Sequence, residues 1–173
     1  MSNLLIREAQ LNDAPVLLAA ETETARTPGL LVSHPHELTL QAFEEKIVEL
    51  AERGRYIVAE KDGGIAGHAL LDPMPLEAIS HVFRLTIVVH PDFTGHGVGT
   101  ALMVELMDWA KRSPKLRKIE LLVRATNERA VHLYSKLGFV EEGRFHKRIC
   151  LPDGSFIDDL AMAWFPEPAR DHP

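Results

Sequence analysis

Val88-Val89-His90-Pro91-Asp92-Phe93-Thr94-Gly95-His96-Gly97-Val98-Gly99-Thr100-Ala101-Leu102 decides how this chain folds. Ahead of it, Leu85-Thr86-Ile87-Val88-Val89 ends a strand that begins near His81, and so apolar a run suits a central strand covered on both faces. Behind it, Val98, Leu102, Leu106 and Trp109 recur at helical spacing, which predicts a helix from Val98 to Arg112. Glycines alternate at 95, 97 and 99 between the two. Glycine there permits positive φ and close approach of the backbone to a ligand. The free N–H groups of the first helical turn, at the positive end of the helix dipole, then face an anion such as a pyrophosphate. The dinucleotide fingerprint Gly-x-Gly-x-x-Gly fails, because Thr100 stands where the third glycine belongs, and no Gly-Lys-Ser/Thr follows. A tight strand-to-helix turn without a ligand is the purely structural alternative.

A second segment lies about thirty residues on: Asn127-Glu128-Arg129-Ala130-Val131-His132-Leu133-Tyr134-Ser135-Lys136-Leu137-Gly138-Phe139, after a strand predicted at Lys118–Val123. Asn127, Ala130 and Tyr134 share one helical face, while Leu133 and Leu137 adjoin it and can pack on a sheet. Gly138 reads as a left-handed cap, and Phe139 returns to the core. An N-cap role for Asn127 and half-buried packing for Tyr134 are available. Neither explains the small Ala130 between them, which leaves a slot along the helix.

Outward from this centre, Leu4–Ala9 reads as a first strand, and Asn12 as the cap of a helix to about Ala25 with Val16, Leu17 and Ala20 on its apolar side. The stretch from Thr27-Pro28-Gly29 to His36 reads as a loop. Thr39 caps a second helix with Leu40, Phe43, Ile47 and Leu50 at helical spacing. Tyr56–Glu60 and Ile65–Leu71 flank Asp62-Gly63-Gly64, a hairpin signal, and Asp72-Pro73-Met74-Pro75 reads as a loop. Phe139–Glu142 starts a further strand, and Arg144–Leu151 and Ser155–Phe165 flank a second hairpin turn at Pro152-Asp153-Gly154. The central strand–helix–strand passage implies a parallel pair inside a mostly antiparallel sheet. The expected architecture is α/β (α+β-like), with about seven strands and about four helices in one domain over 1–165, followed by a frayed tail over 166–173.

Composition narrows the function classes. A length of 173 residues, 46% hydrophobic and 25% charged, is that of an ordinary single globular domain. The net charge of −6, without a Lys/Arg block, argues against nucleic acid as a partner. No apolar run approaches the ~20 residues of a membrane span, and the first residues lack the apolar core of a signal peptide. Cys150 is the only cysteine, which excludes an intrachain disulfide and fits a reducing compartment, so a cytoplasmic location is expected; between a catalytic thiol and a small buried hydrophobe, it reads as the hydrophobe. The nine histidines carry no His-Glu-x-x-His pattern or cysteine pair and read as surface or substrate-loop residues, with no metal expected.

Val89-x-Pro91, the Gly95–Thr100 turn and Asn127-x-x-Ala130-x-x-x-Tyr134-x-x-x-Gly138-Phe139 together resemble the GNAT acetyltransferase superfamily, most strongly over 80–140. The ending Asp153-Gly154-Ser155-Phe156-Ile157-Asp158 resembles bacterial members that acetylate small amines, amino acids or protein N-termini. The resemblance implies acetyl-CoA as co-substrate. The backbone of Ile87, Val88 and Val89 would hold the pantetheine arm. The loop of Gly95, His96, Gly97, Val98, Gly99 and Thr100 would hold the pyrophosphate. Asn127 would bond the pantetheine beside Ala130, and Tyr134 would protonate the departing thiolate. Thr94 and Gly95 depart from the family's Gln/Arg-x-x-Gly-x-Gly/Ala signature, Gly95 replacing a commonly basic residue.

Direct attack of an amine on the thioester also needs a base. Some relatives carry a glutamate five residues before the asparagine, where this chain has Leu122. Glu120, on the same side of its strand, Asp158 and His81 are the candidates, with a water chain as the alternative. The acceptor side would be lined by His34-Pro35-His36 and by the closing hairpin with Phe156 and Asp158. Two classes of function follow. One is an acetyl-CoA-dependent N-acyltransferase acting on a small-molecule amine, an amino acid or a protein N-terminus. The other is a non-catalytic acyl-CoA-binding sensor. Neither involves nucleic acid or a membrane, and the resemblance admits a homodimer.

Overall fold

The structure is a computed structural model that describes residues 4–166. Its strands are β1 (Leu4–Glu8), β2 (Arg55–Lys61), β3 (Gly64–Pro73), β4 (Val82–Val89), β5 (Lys118–Arg124), β6 (Val140–Cys150) and β7 (Phe156–Trp164). Its helices are α1 (Ala14–Ala25), α2 (Leu40–Arg53), α3 (Val98–Arg112) and α4 (Glu128–Lys136). The strands form one sheet in the order β1-β2-β3-β4-β5-β7-β6. Every neighbouring pair is antiparallel except β4 and β5.

Local chemistry sets the register. Asp62 (φ 52°) and Gly63 (φ 83°) both adopt the left-handed conformation of a two-residue hairpin, fixing Lys61 opposite Gly64. Alternation then divides the sheet between two cores. Ile57, Ala59, Ala69, Leu71, Phe83 and Leu85 meet Val98, Leu102, Met103 and Leu106 of α3. Tyr56 and Val58 meet Ala14 and Leu17 of α1 and Phe43, Ile47 and Leu50 of α2. Thr39 caps α2 as expected, its hydroxyl accepting from the Ala42 N–H.

The feature that matters for function is how β4 and β5 part. They pair only at Val82–Lys118, Phe83–Ile119 and Arg84–Glu120. Beyond that point β4 stays bonded to β3 on its outer edge, with Gly67 opposite Val89 and Leu71 opposite Leu85. β5 stays bonded to β7, from Ile119–Trp164 to Arg124–Asp159. Each strand is held from outside and free inside, so the sheet opens as a wedge toward both C-terminal ends. The inner backbone groups of Leu85–Val89 have no strand partner there.

Several expectations are corrected. Asn12 sits in a short 3-10 turn (Leu11–Asp13) and does not cap α1. Asp13 organises that turn, receiving the Gln10 N–H and both terminal nitrogens of Arg7. Val16 faces solvent, and Leu17 with Ala14 carries the buried face. Residues from Val140 to Cys150 form one strand, since two irregularities against β7 absorb the break in pattern instead of ending it. Asp72 and Pro73 extend β3, opposite Arg84 and Phe83. Cys150 is exposed, at the end of β6 where its half-buried neighbour Ile149 takes the inward place. His68 and His90 are buried, against the expectation of surface histidines. Apart from Pro166, the expected tail lies outside the described residues.

Candidate active site

The wedge opens onto the glycine turn. After β4, Pro91–Phe93 makes one 3-10 turn, and Gly95 (φ 84°) and Gly97 (φ 77°) then take left-handed conformations. Gly97 is the N-cap residue of α3, and no side chain caps that end. The N–H groups of Val98, Gly99 and Thr100 are therefore left for a ligand, because the first intrahelical bond is Ala101 N–H to the Gly97 carbonyl at 3.0 Å. A Cβ built on Gly97 would meet nothing within 4 Å, so the turn faces open space. Gly99 has the opposite setting. Its Cβ would lie 3.4 Å from Val89 Cγ2 and 3.7 Å from Leu133 Cδ2, so its lack of a side chain lets β4, α3 and α4 converge.

α4 forms the far wall. Asn127 caps it, its Oδ1 accepting the Ala130 N–H at 3.2 Å, which leaves the Asn127 Nδ2 group for other partners. Tyr134 is 8% exposed and packs on Phe139 at 5.8 Å between ring centroids. Burial pushes its phenol up to about 12, against the opposing charge of Arg124, so the hydroxyl keeps its proton through the neutral range. Among the described residues that hydroxyl has no hydrogen-bond partner. Gly138 (φ 93°) ends the helix, and the Phe139 N–H returns to the Tyr134 carbonyl at 3.0 Å. Below it, Arg124 pairs with buried Asp159 across β5 and β7.

A basic residue also faces the turn. Arg129, from the first turn of α4, brings Nη2 to 3.6 Å from where a Gly95 Cβ would stand. The charge absent from the loop sequence is thus presented from the neighbouring helix. Its sequence signal was position alone, two residues past Asn127.

The three candidate bases are widely separated. His81 lies at the closed end of the wedge, where its carbonyl accepts the Arg117 N–H at 2.9 Å. Glu120 stands at the vertex, opposite Arg84 in the last paired position, half-buried and 3.7 Å from Lys118 Nζ. Asp158 receives the Lys147 N–H at 2.8 Å, Arg144 Nε at 2.7 Å and His146 Nδ1 at 3.0 Å. The Lys147 N–H first, and then the Arg144 guanidinium, hold its carboxyl down at about 2. It braces the irregular turn of β6 at Lys147, whose φ is 53°.

The first inter-helix loop and the closing hairpin do meet. They enclose a cleft of about 340 Å³ lined by Ala25, Arg26, Leu31, His34, Ile149 and Leu151, among others. His36 stacks on His34 with ring centroids 5.6 Å apart, while Phe156 and Asp158 are not among the lining residues.

This arrangement agrees with what the chain is similar to. The Acetyltransferase (GNAT) family pattern matches residues 18–139. An L-amino acid N-acetyltransferase of Escherichia coli is 31% identical over 167 residues, covering 94% of this chain and 98% of that protein. The crystal structure of a GNAT-family acetyltransferase from Streptococcus pneumoniae superposes with a TM-score of 0.86 at 30% identity, covering 94% of this chain and 99% of the other. A GNAT-superfamily phosphinothricin acetyltransferase from Sinorhizobium meliloti, solved with acetyl-CoA, shares the fold at TM-score 0.85 and 17% identity, covering 94% of this chain and 88% of that one. By family pattern, full-length relative and fold alike, the chain belongs to the GNAT family of N-acetyltransferases.

Proposed function

We propose that the protein transfers the acetyl group of acetyl-CoA to the primary amine of a small molecule, of the amino-acid class, by direct attack in a ternary complex. The observation that carries this reading is the wedge itself: unpaired inner backbone on Leu85–Val89, opening onto uncapped N–H donors at Val98–Thr100. The residues fit the coenzyme. The glycine turn has left-handed backbone and open space where a side chain would stand, as a pyrophosphate cradle requires. Gly95, His96, Gly97, Val98, Gly99 and Thr100 would hold the pyrophosphate, with Arg129 supplying charge. Ile87, Val88 and Val89 would hold the pantetheine arm by main-chain bonds, and Asn127 would reach it through Nδ2.

A strand-end N–H of Val88 or Val89 would then stabilise the developing oxyanion, a contribution of ~2.7–4 kcal/mol for one such donor. Tyr134 would give its proton to the thiolate as the C–S bond breaks, and the second proton lost by the attacking nitrogen would restore it. An amino-acid acceptor is supported by the full-length Escherichia coli relative and by the small size of the cleft between the first loop and the hairpin.

The test is thiol release from acetyl-CoA with a panel of L-amino acids and alkylamines, together with calorimetry of acetyl-CoA on Gly97→Val. The variant places a β-branched side chain at φ 77° and in the cradle, so a folded variant should lose measurable coenzyme binding. Unchanged affinity in a folded Gly97→Val protein would refute the cradle.

A further inference from the structure

Three side chains that the site above does not use meet in a buried hydrogen-bonded chain on the α1 side of the sheet. Glu21 Oε1 lies 2.7 Å from His68 Nε2, His68 Nδ1 lies 3.1 Å from His90 Nε2, and His90 Nδ1 lies 2.9 Å from the Ile65 carbonyl. His68 is fully buried and His90 is 6% exposed, whereas the Glu21 side chain keeps 15% of its surface.

Counting protons shows what the chain can do. The Ile65 carbonyl only accepts, so His90 donates from Nδ1 and accepts at Nε2, and His68 donates to it from Nδ1. Burial first, and then His68, depress His90 to about 4, which keeps it in this neutral form. Two neutral imidazoles thus bring protons for two of the three bonds. The Glu21–His68 contact, at 2.7 Å, becomes a hydrogen bond only with a third proton between its two acceptors, so it is the point at which the chain takes up a single proton.

Its location suits one donor. His68 on β3 is the direct cross-strand partner of Val88, so both side chains stand on one face, about 5 Å apart. Val88 belongs to the strand end where the thioester would be held. Glu21 lies one helical turn before Ala25, which lines the cleft on the acceptor side, so the two share a face of α1. The titratable group that faces Glu21 from β2 is Tyr56, which also faces Asp13, itself paired with Arg7 at 2.8 Å. Asp92, His36 and Glu37, on turns packed against α1, are exposed, and α2 contributes Phe43, Ile47 and Leu50 to this core.

We propose that Glu21 is the base that deprotonates the acceptor ammonium, with His68 and His90 as the positioning residues that hold the proton. This rests on the acetyl-transfer reading above. An N–H bond of the ammonium breaks and its electron pair stays on nitrogen for attack on the thioester carbon. The proton forms an O–H bond on Glu21, shared with His68 Nε2, and leaves to solvent once the product has departed.

The test compares wild type with Glu21→Gln on a primary alkylamine that the wild type acetylates, from pH 6 to 10. Glu21→Gln should lower kcat/KM for the amine about 10²-fold near pH 7. The loss should shrink about tenfold per pH unit toward the amine's own pKa, where free amine replaces the base, and acetyl-CoA affinity should stay unchanged. A loss equal at every pH, or none, would assign the chain a structural role only. Glu21→Asp serves if the glutamine variant does not fold: it keeps a carboxylate and should retain the shape of the wild-type pH profile at a reduced rate. A wild-type rate in Glu21→Asp, or a changed profile, would overturn the proposal. Acetylation by wild type with no effect of either variant refutes the base alone, whereas a wild type that acetylates no amine refutes both readings.

Discussion

Tyr134 and Arg129 sit on the same helix, yet the coenzyme would use them for different physical reasons. Tyr134 is buried, protonated through the neutral range and without a hydrogen-bond partner among the described residues, as a proton donor held in reserve must be. Tyr134→Phe removes only the hydroxyl. We expect turnover at saturating substrates to fall ~10²–10⁴-fold where thiolate release limits the rate, with acetyl-CoA affinity close to wild type by calorimetry. Wild-type turnover across the pH range would remove it from the mechanism. Arg129 would act by charge across the space left by Gly95. Arg129→Ala should weaken acetyl-CoA binding about tenfold, the loss expected for one charge-assisted contact to phosphate. Its binding should also depend less steeply on salt than that of wild type.

Among the elements, the β6–β7 hairpin departs most from its pattern in the sequence. β6 slips against β7 between Glu141 and Gly143 and between Phe145 and Ile149, and the second slip turns Lys147 to positive φ. The Asp158 carboxylate spans that slip with three bonds to Arg144, His146 and the Lys147 N–H. These bonds favour the ionised form, so the folded pKa of about 2 lies below the ordinary aspartate value of ~3.9. Asp158 therefore contributes its full stabilisation above about pH 4, and that contribution disappears as pH falls toward 2. Asp158→Asn should lower the melting temperature at pH 7 and flatten its decline between pH 4 and pH 2. An unchanged pH dependence of melting would show that the hairpin does not rely on this carboxylate. The same variant tests acceptor binding, since a role there would raise KM for the amine alone.

For the whole molecule, the decisive fact is that β4 and β5 are neighbours for three residue pairs and then separate. The wedge survives because each strand is held from outside, and on the β5 side the buried Arg124–Asp159 pair fastens the open end to β7. Asp159→Ala would leave the Arg124 guanidinium buried without its carboxylate, which should cost ~3–5 kcal/mol in chemical denaturation. A loss below about 1 kcal/mol would show that the strand ladder alone holds that edge. What the sequence determined by itself was local. The glycines at 95, 97 and 138, the Asp62-Gly63 turn, the Thr39 cap and the limits of α3 were legible because positive φ, capping and helical period are properties of a few adjacent residues. The parallel pair inside an antiparallel sheet was legible too, since a strand–helix–strand passage allows little else. Only the tertiary structure decided that β7 lies between β5 and β6, that the sheet opens after Arg84 and Glu120, and that Arg129 faces Gly95. It alone brought Glu21, His68 and His90 into one chain, although His68 interrupting the apolar strand Ile65–Leu71 was a usable sign of a buried polar group. Each of these depends on strand order and register between segments distant in the chain, and no short stretch of sequence encodes such pairings, because they are fixed only when the faces of many elements are buried together.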